Sequence, residues 1–209
     1  MPPLKADLRR EAGLRTRTRL LVAALALLAE RGEDGVTLRE VTDAAEANVA
    51  AVSYHFGSLK ALCEAAIDDA LERYLDAQLE ALSGLGPEST IEELAAAFGQ
   101  PMIRALASGG RELAVMRLVA RAGIDPPQGW DRFDARFERI RADVLRVLKA
   151  QVRGVGDRAL IQRTRCVAGM LNWLALAPFG AELRDKSERQ LERLLVPVIA
   201  GALRGSAAA

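Results

Sequence analysis

The stretch from Thr37 to Leu62, TLREVTDAAEANVAAVSYHFGSLKAL, constrains this chain more than any other. Thr37 followed by Glu40 makes a capping box and predicts a short helix over Leu38 to Ala44. Asn48 is a second N-cap and predicts another short helix, Val49 to His55. Gly57-Ser58 breaks that helix, and Ser58 caps a longer one from Leu59 to about Leu82. Two short helices joined by a tight break can place one of them in a DNA major groove. The only histidine of the chain, His55, lies in the second of them.

The surroundings are helical. Of the 209 residues, 50% are hydrophobic, 4% aromatic and 27% charged, with Ala, Leu, Arg and Glu dominant and few β-branched runs. That favours an all-α protein with a core of useful size, in one or two domains. Upstream, TRTRLLVAALALLAERG has Leu20, Leu21, Ala24, Leu27 and Leu28 at helical spacing, with Gly32 as a stop. Met1 to Leu14, with Lys5, Arg9 and Arg10, reads as a mobile basic arm. Arg15, Arg17 and Arg19 then gather where the helix is expected to begin. Cations there oppose the macrodipole, a small cost that an external anion would remove; an ordinary solvated face explains them as well.

Ser83 to Pro87 is a linker. Beyond it, helices are expected over Ile91 to Ala107 with a kink at Pro101, Arg111 to Ala122, Trp130 to Val152, Asp157 to Leu176 and Ser187 to Leu203. Gly123 to Gly129 reads as a loop, Pro178 to Gly180 as a helix stop, and Gly205 to Ala209 as a frayed tail. About nine helices result, with no convincing strand. The expected domains are 1–57, an arm with a three-helix DNA-binding unit, and 58–209, a helical remainder.

Composition also limits the chemistry. A net charge of +1 requires any nucleic-acid surface to come from local placement of charge. Cys63 and Cys166 are too far apart for a zinc knuckle or CxxC site, and in their apolar helical contexts both read as buried free thiols. No metal site and no cofactor is expected. Met1 to Arg19 is charged rather than apolar, unlike a signal peptide. Leu20 to Ala29 falls short of the ~20 residues that a membrane helix needs. A soluble cytoplasmic protein is therefore expected.

The order of parts, a helix ending in AERG and then VTLREVTDAAEANVAAVSYHFGSLKAL, resembles the tetracycline-repressor (TetR) family of bacterial regulators. The likeness covers roughly Arg15 to Ile67, and its most specific string is NVAAVSYHFGS. It departs from the family pattern at three places. Glu46 stands where the turn glycine is usual, so the turn is either built differently or strained. Ser53 replaces a tyrosine and Leu59 a lysine, which puts in question the family's phosphate contacts at those two positions.

The resemblance implies a ligand-responsive DNA-binding regulator. Val49, Ala50 and Ala51 would face the groove, able to meet thymine methyls but not to form bidentate bonds to bases. Thr37, Asn48, Tyr54, His55 and Lys60 would hold phosphates, with Arg39, Arg15 and Arg17 as further candidates. Base readout would be modest, shared with DNA shape and with the basic arm in a minor groove. Val52 and Phe56 are core by spacing.

The last two helices would form a homodimer, setting two reading heads about one helical turn apart, ~34–36 Å, on a palindromic operator. The middle helices would enclose an apolar or amphipathic effector, acyl-like by a weak likeness to one subgroup. Its wall would come from Phe98, Met102, Met116, Phe133, Phe137, Met170 and Trp173, each of which also reads as plain core. Effector binding would move the fourth helix and lower operator affinity.

Three other readings stand beside this one. An all-helical enzyme finds no support in one histidine, no metal spacing, no phosphate loop and no nucleophile motif. A helical adaptor would show no salt-dependent DNA binding. An activator, or a regulator without an inducer, would share the same DNA-binding domain.

Overall fold

A computed structural model of the chain describes residues 5–126, 130–176 and 178–205. Two compact units divide the chain between Leu71 and Glu72. Nine α-helices occur among the described residues, and no strand. All-α is thus the fold class.

In the first unit, α1 (Lys5–Arg31), α2 (Leu38–Ala44) and α3 (Val49–Phe56) pack on one another, and α4 (Leu59–Leu82) starts. From α1, Leu20, Ala24, Leu25 and Leu28 are buried; from the next two helices come Val41, Ala45 and Val52. The beginning of α4 adds Leu62, Ala66, Ala70 and Leu71.

Two expectations change here. The segment from Lys5 to Leu14 is the opening of α1 rather than a mobile arm. KADLRREAGL contains no proline and mostly good helix formers, so nothing in it stops a helix from extending backward. Met1 to Leu4 lie outside the described residues. Arg15, Arg17 and Arg19 consequently sit well inside a helix of 27 residues, beyond the first turn where a macrodipole acts. The second change concerns Phe56, which is half-buried rather than core, its ring lying under the Arg17 guanidinium 5.1 Å away.

The second unit contains the rest of α4, then α5 (Ile91–Ser108), α6 (Gly110–Ala122), α7 (Asp134–Gln151), α8 (Asp157–Leu176) and α9 (Glu188–Arg204). The α5–α9 pairing is the most extensive. Gly99 permits it: a Cβ there would stand 2.7 Å from Ile199 Cδ1 of α9. Pro101 sits inside α5, whose N-terminus is closed by a Thr90–Glu93 capping box. Ser187 and Gln190 close α9 in the same manner.

The linker after α4 is tied down from α7, since Arg146 Nη2 donates to the Leu85 carbonyl at 3.1 Å. Trp130 to Phe133 form a 3₁₀ turn, so α7 starts at Asp134 and not at Trp130. A further 3₁₀ segment, Pro178–Leu183, follows α8 where a simple stop was expected. The expected loop Gly123 to Gly129 falls partly outside the described residues, as does the tail beyond Gly205.

Cys63 is buried, and burial pushes its thiol up to about 11; Cys166 is exposed, contrary to expectation. On α8 the buried residues are Leu160, Val167, Leu171, Leu174 and Ala175, while Gln162, Cys166, Gly169 and Trp173 share the outer face at helical spacing.

The α2 cap makes a direct stability prediction. The Glu40 N–H donates to Thr37 Oγ1 at 3.3 Å, and the Thr37 N–H donates back to Glu40 Oε2 at 3.1 Å. Thr37→Ala should lower unfolding free energy by about 1 kcal/mol in urea titration. Bonds from Thr37 and Arg31 hold the Glu40 carboxyl below its ordinary value of 4.5. A lowered folded-state value means that this stabilisation is complete above that ordinary value and is lost as pH falls through the folded one. Glu40→Gln should therefore reduce the acid sensitivity of unfolding below pH ~4.5. Equal acid sensitivity in the two proteins would refute that role.

Candidate functional site

The helix-turn-helix is built by its caps. After α2, the Ala47 N–H reaches the Thr42 carbonyl at 2.9 Å and the Glu46 N–H reaches the Asp43 carbonyl at 3.1 Å. These are the paired bonds of a Schellman motif, with Glu46 at the position that glycine usually fills. Glu46 indeed has φ 49, and no other non-glycine residue among those described has positive φ. The turn is thus the ordinary one, made with a residue that resists it. For an L-residue with a Cβ, that conformation costs roughly 1–2 kcal/mol. The Glu46 carboxylate is solvated and lies 3.8 Å from Arg19 of α1.

Asn48 then opens α3, its Oδ1 accepting from the Ala50 N–H at 2.9 Å. Gly57, with φ 81, ends the helix and donates to the Ser53 carbonyl at 3.1 Å. Ser58 Oγ accepts from the Ala61 N–H at 3.1 Å and starts α4. Val52 anchors α3 from below, and this leaves an outer face of Asn48, Val49, Ala50, Ser53 and Tyr54. Tyr54 is 84% exposed. Ala51 is half-buried beside this face.

His55 is half-buried; Tyr54 and Phe56 meet its ring edge-on at 4.9 and 6.3 Å. A Cβ on Gly13 of α1 would come 3.8 Å from its Cε1. Thr37 stands exposed at the start of α2. Arg39 (3.7 Å from Asp43), Lys60 (3.9 Å from Glu64) and Arg15 (3.9 Å from Glu11) lie in open surface pairs. Pairs of that kind contribute about 0–1 kcal/mol, so a phosphate can compete for any of these cations.

The second unit contains a cavity of about 210 Å³. Phe98, Met102, Met116 and Phe137 line it together, but Phe133, Met170 and Trp173 do not. Phe133 is buried beneath the Arg132 guanidinium, Met170 is half-buried, and Trp173 is 55% exposed on the outer face of α8. The sequence reading missed the polar part of the wall: Tyr74 and Gln78 from α4, Arg141 from α7, and Thr164, Arg165 and Asn172 from α8.

Trp130 was also missed; it stacks on Phe137 with centroids 5.2 Å apart. Tyr74 is half-buried, and burial pushes its phenol up to about 12, so it stays a neutral hydroxyl near pH 7. The spacings Phe137, Ile140, Arg141 and Thr164, Ala168, Leu171 each mark one inward helix face. They were a signal available beforehand, although only contact between helices shows that those faces enclose a space.

Among the described residues, no group of three or more His, Cys, Asp or Glu is placed to hold a metal ion, and no helix is long and apolar enough to cross a membrane.

A short capped helix with a small-residue outer face, held on a three-helix scaffold, defines the class of helix-turn-helix proteins. Residues 20–66 match the family model for bacterial regulatory proteins of the tetR family. A curated relative from Bacillus subtilis (strain 168), named probable HTH-type transcriptional regulator YttP, is 30% identical over 79 residues, which is 38% of this chain and 38% of that protein. The matched part therefore spans well under two thirds of that relative's length.

Two solved structures share the fold over most of the chain. AibR in complex with isovaleryl coenzyme A and operator DNA matches with TM-score 0.64 and 17% identity, over 88% of this chain and 97% of that one. A transcriptional regulator from Rhodococcus sp. Rha1 matches with TM-score 0.58 and 24% identity, over 88% and 93%.

Glu46→Gly removes the disfavoured conformation and should raise unfolding free energy by about 0.5–1 kcal/mol, after allowing for the extra backbone freedom of glycine when unfolded. Glu46→Ala keeps the strain and should show no such gain. Equal effects of the two substitutions in denaturant titration would mean that φ at this position is not the cause.

Proposed function

We propose that this protein is a ligand-responsive DNA-binding transcriptional regulator, a repressor released from a palindromic operator by a small apolar or amphipathic effector. The observation that carries the reading is the outer face of α3, exposed apart from half-buried Ala51 and flanked by cations in weak pairs. Val49, Ala50 and Ala51 would lie against the groove. Asn48, Thr37, Tyr54, His55 and Lys60 would hold phosphates, joined by Arg39, Arg15 and Arg17. Phosphate contacts fix register and orientation, and small apolar contacts add limited base discrimination. The functional parts would be the DNA-binding segment 1–57 and the ligand-binding and dimerisation segment 58–209. Its action would be by binding and not by turnover, in the cytoplasm where DNA is reached.

One such head is too small for tight specific binding, so two are needed. The outer surface of α8 and α9 supports a homodimer: Trp173, Leu194 and Val198 are 55%, 46% and 51% exposed there. Large apolar side chains exposed on both helices favour a protein partner, and a two-fold arrangement uses the same surface twice. Effector response is supported by α4, which contributes Tyr74 and Gln78 to the cavity and carries Lys60 in its first turn. An effector would favour the state that does not bind DNA. The AibR structure, with both an acyl coenzyme A and operator DNA, supports an acyl-like effector.

An activator with no inducer keeps the same DNA-binding face and needs no cavity. A protein-only adaptor leaves the exposed Tyr54 and the flanking cations without a role.

Genomic fragments selected on the purified protein would supply the operator. On it, His55→Ala combined with Lys60→Ala should weaken binding to all sequences about equally and flatten the salt dependence, whose slope is about −0.9 per phosphate contact. Loss confined to one operator would make these residues base readers. Salt-independent binding of the native protein would favour the adaptor. Val198→Arg should convert a dimer into a monomer in light scattering at micromolar concentration and weaken operator binding; a native protein that is already monomeric would rule out the two-headed arrangement.

A further inference from the structure

The cavity of the second unit has a sorted wall. Its inner part is apolar, from Phe98, Met102, Met116 and Leu171. Two arginines also line it, Arg141 and Arg165, and no Asp or Glu does so among the described residues. Arg165 is exposed and Arg141 partly so, which places both at the mouth. A small apolar chamber with two arginines at its opening and the carboxylate of Glu138 beside them attracts a ligand that is apolar at one end and anionic at the other.

We infer that the cavity binds a short acyl compound, its hydrocarbon end among Phe98, Met102 and Leu171 and its anionic end on Arg141 and Arg165. This rests on the effector reading above and specifies the chemistry of that site. The volume of about 210 Å³ is below the roughly 300–1,000 Å³ usual for drug-sized ligands, which sets the chain length as short. Tyr74, a neutral hydroxyl, and Asn172 can donate further hydrogen bonds within the wall.

Glu138 shows that the mouth already draws a carboxylate. It pairs with Arg141 outside the cavity lining. The hydrogen bond from Arg141, with the nearby charges of Arg141 and Arg165, holds its carboxyl below the ordinary value. A ligand anion would therefore compete with Glu138 for the same cations. The sign of one substitution follows: Glu138→Gln removes the competitor and should tighten binding, whereas an element that only supported the fold would weaken it or do nothing.

The anion can belong to a free carboxylate or to the phosphates of a coenzyme A thioester reaching outside the mouth. Calorimetric titration of the full-length protein with hexanoate, hexanoyl coenzyme A and the neutral isostere hexanamide separates these sources. We expect hexanoate, or the thioester in its place, to bind roughly tenfold or more tightly than hexanamide. Arg165→Gln and Arg141→Gln should each remove most of that preference without changing hexanamide binding, and Glu138→Gln should strengthen the anion's binding several-fold. Arg165 is exposed, so its variant tests the idea even if the Arg141 variant folds poorly.

Hexanamide binding as tightly as both anions would overturn the anionic assignment and leave the cavity as an apolar effector site. Binding of the anions that is unaffected by either arginine variant would overturn it as well. If none of the three compounds binds while the protein still holds its operator, the acyl assignment fails. The cavity then loses its support as the effector site, and the DNA-binding reading stands.

Discussion

The docking of two very short helices onto α1 is the interaction on which the outer face of α3 depends. Helices of seven and eight residues are far below the length at which an isolated helix persists in water. They exist here because each is closed at its N-terminus by a side chain and buries one apolar stripe. Val41, Ala45 and Val52 take the inward positions, and Leu20, Ala24 and Leu28 belong to the α1 face they join. Every outward side chain of α3 takes its direction from that arrangement, since a helix fixed on one face has no freedom left on the other.

Glu46 reveals how strongly the turn between them is determined. A residue placed at φ 49 survives only if its surroundings insist on it. Here two backbone bonds close the end of α2 on one side and the Asn48 cap opens α3 on the other. The glycine usual at this position is a convenience, because the geometry is set by the bonds. The same residue has an electrostatic consequence. Its carboxylate faces Arg19, so a cation of α1 is partly neutralised beside the helix-turn-helix.

What was legible in the sequence was whatever local chemistry decides. Thr37, Asn48, Ser58 and Ser187 marked helix starts because capping is a bond between near neighbours. The backward extension of α1 was not legible, since its early residues neither stop nor cap a helix. The cavity was half legible. Periodicity says which residues turn inward, and Phe98, Met102, Met116 and Phe137 do, but it cannot say where facing helices leave a gap. For that reason nothing in the spacing alone singles out Arg141 and Arg165 as lining residues. Trp173 failed in the opposite sense. Apolar residues of α8 lie on more than one side of the helix, so composition alone could not separate a wall of the cavity from an outward face.

These features bear on how small an effector can be and still work. If Val49, Ala50 and Ala51 face the groove as proposed, they offer little base-specific free energy, and much of the operator affinity would come from phosphates and from having two heads. Such affinity is lost quickly when the heads no longer fit both half-sites together, because each then binds alone. An effector needs to favour the misfitted state by only about 1–3 kcal/mol to lower affinity 5- to 150-fold. A short acyl chain and one charge-assisted contact are of that order. On the proposed reading, a cavity of about 210 Å³ would be sufficient for control, and a weak reading head would make it so.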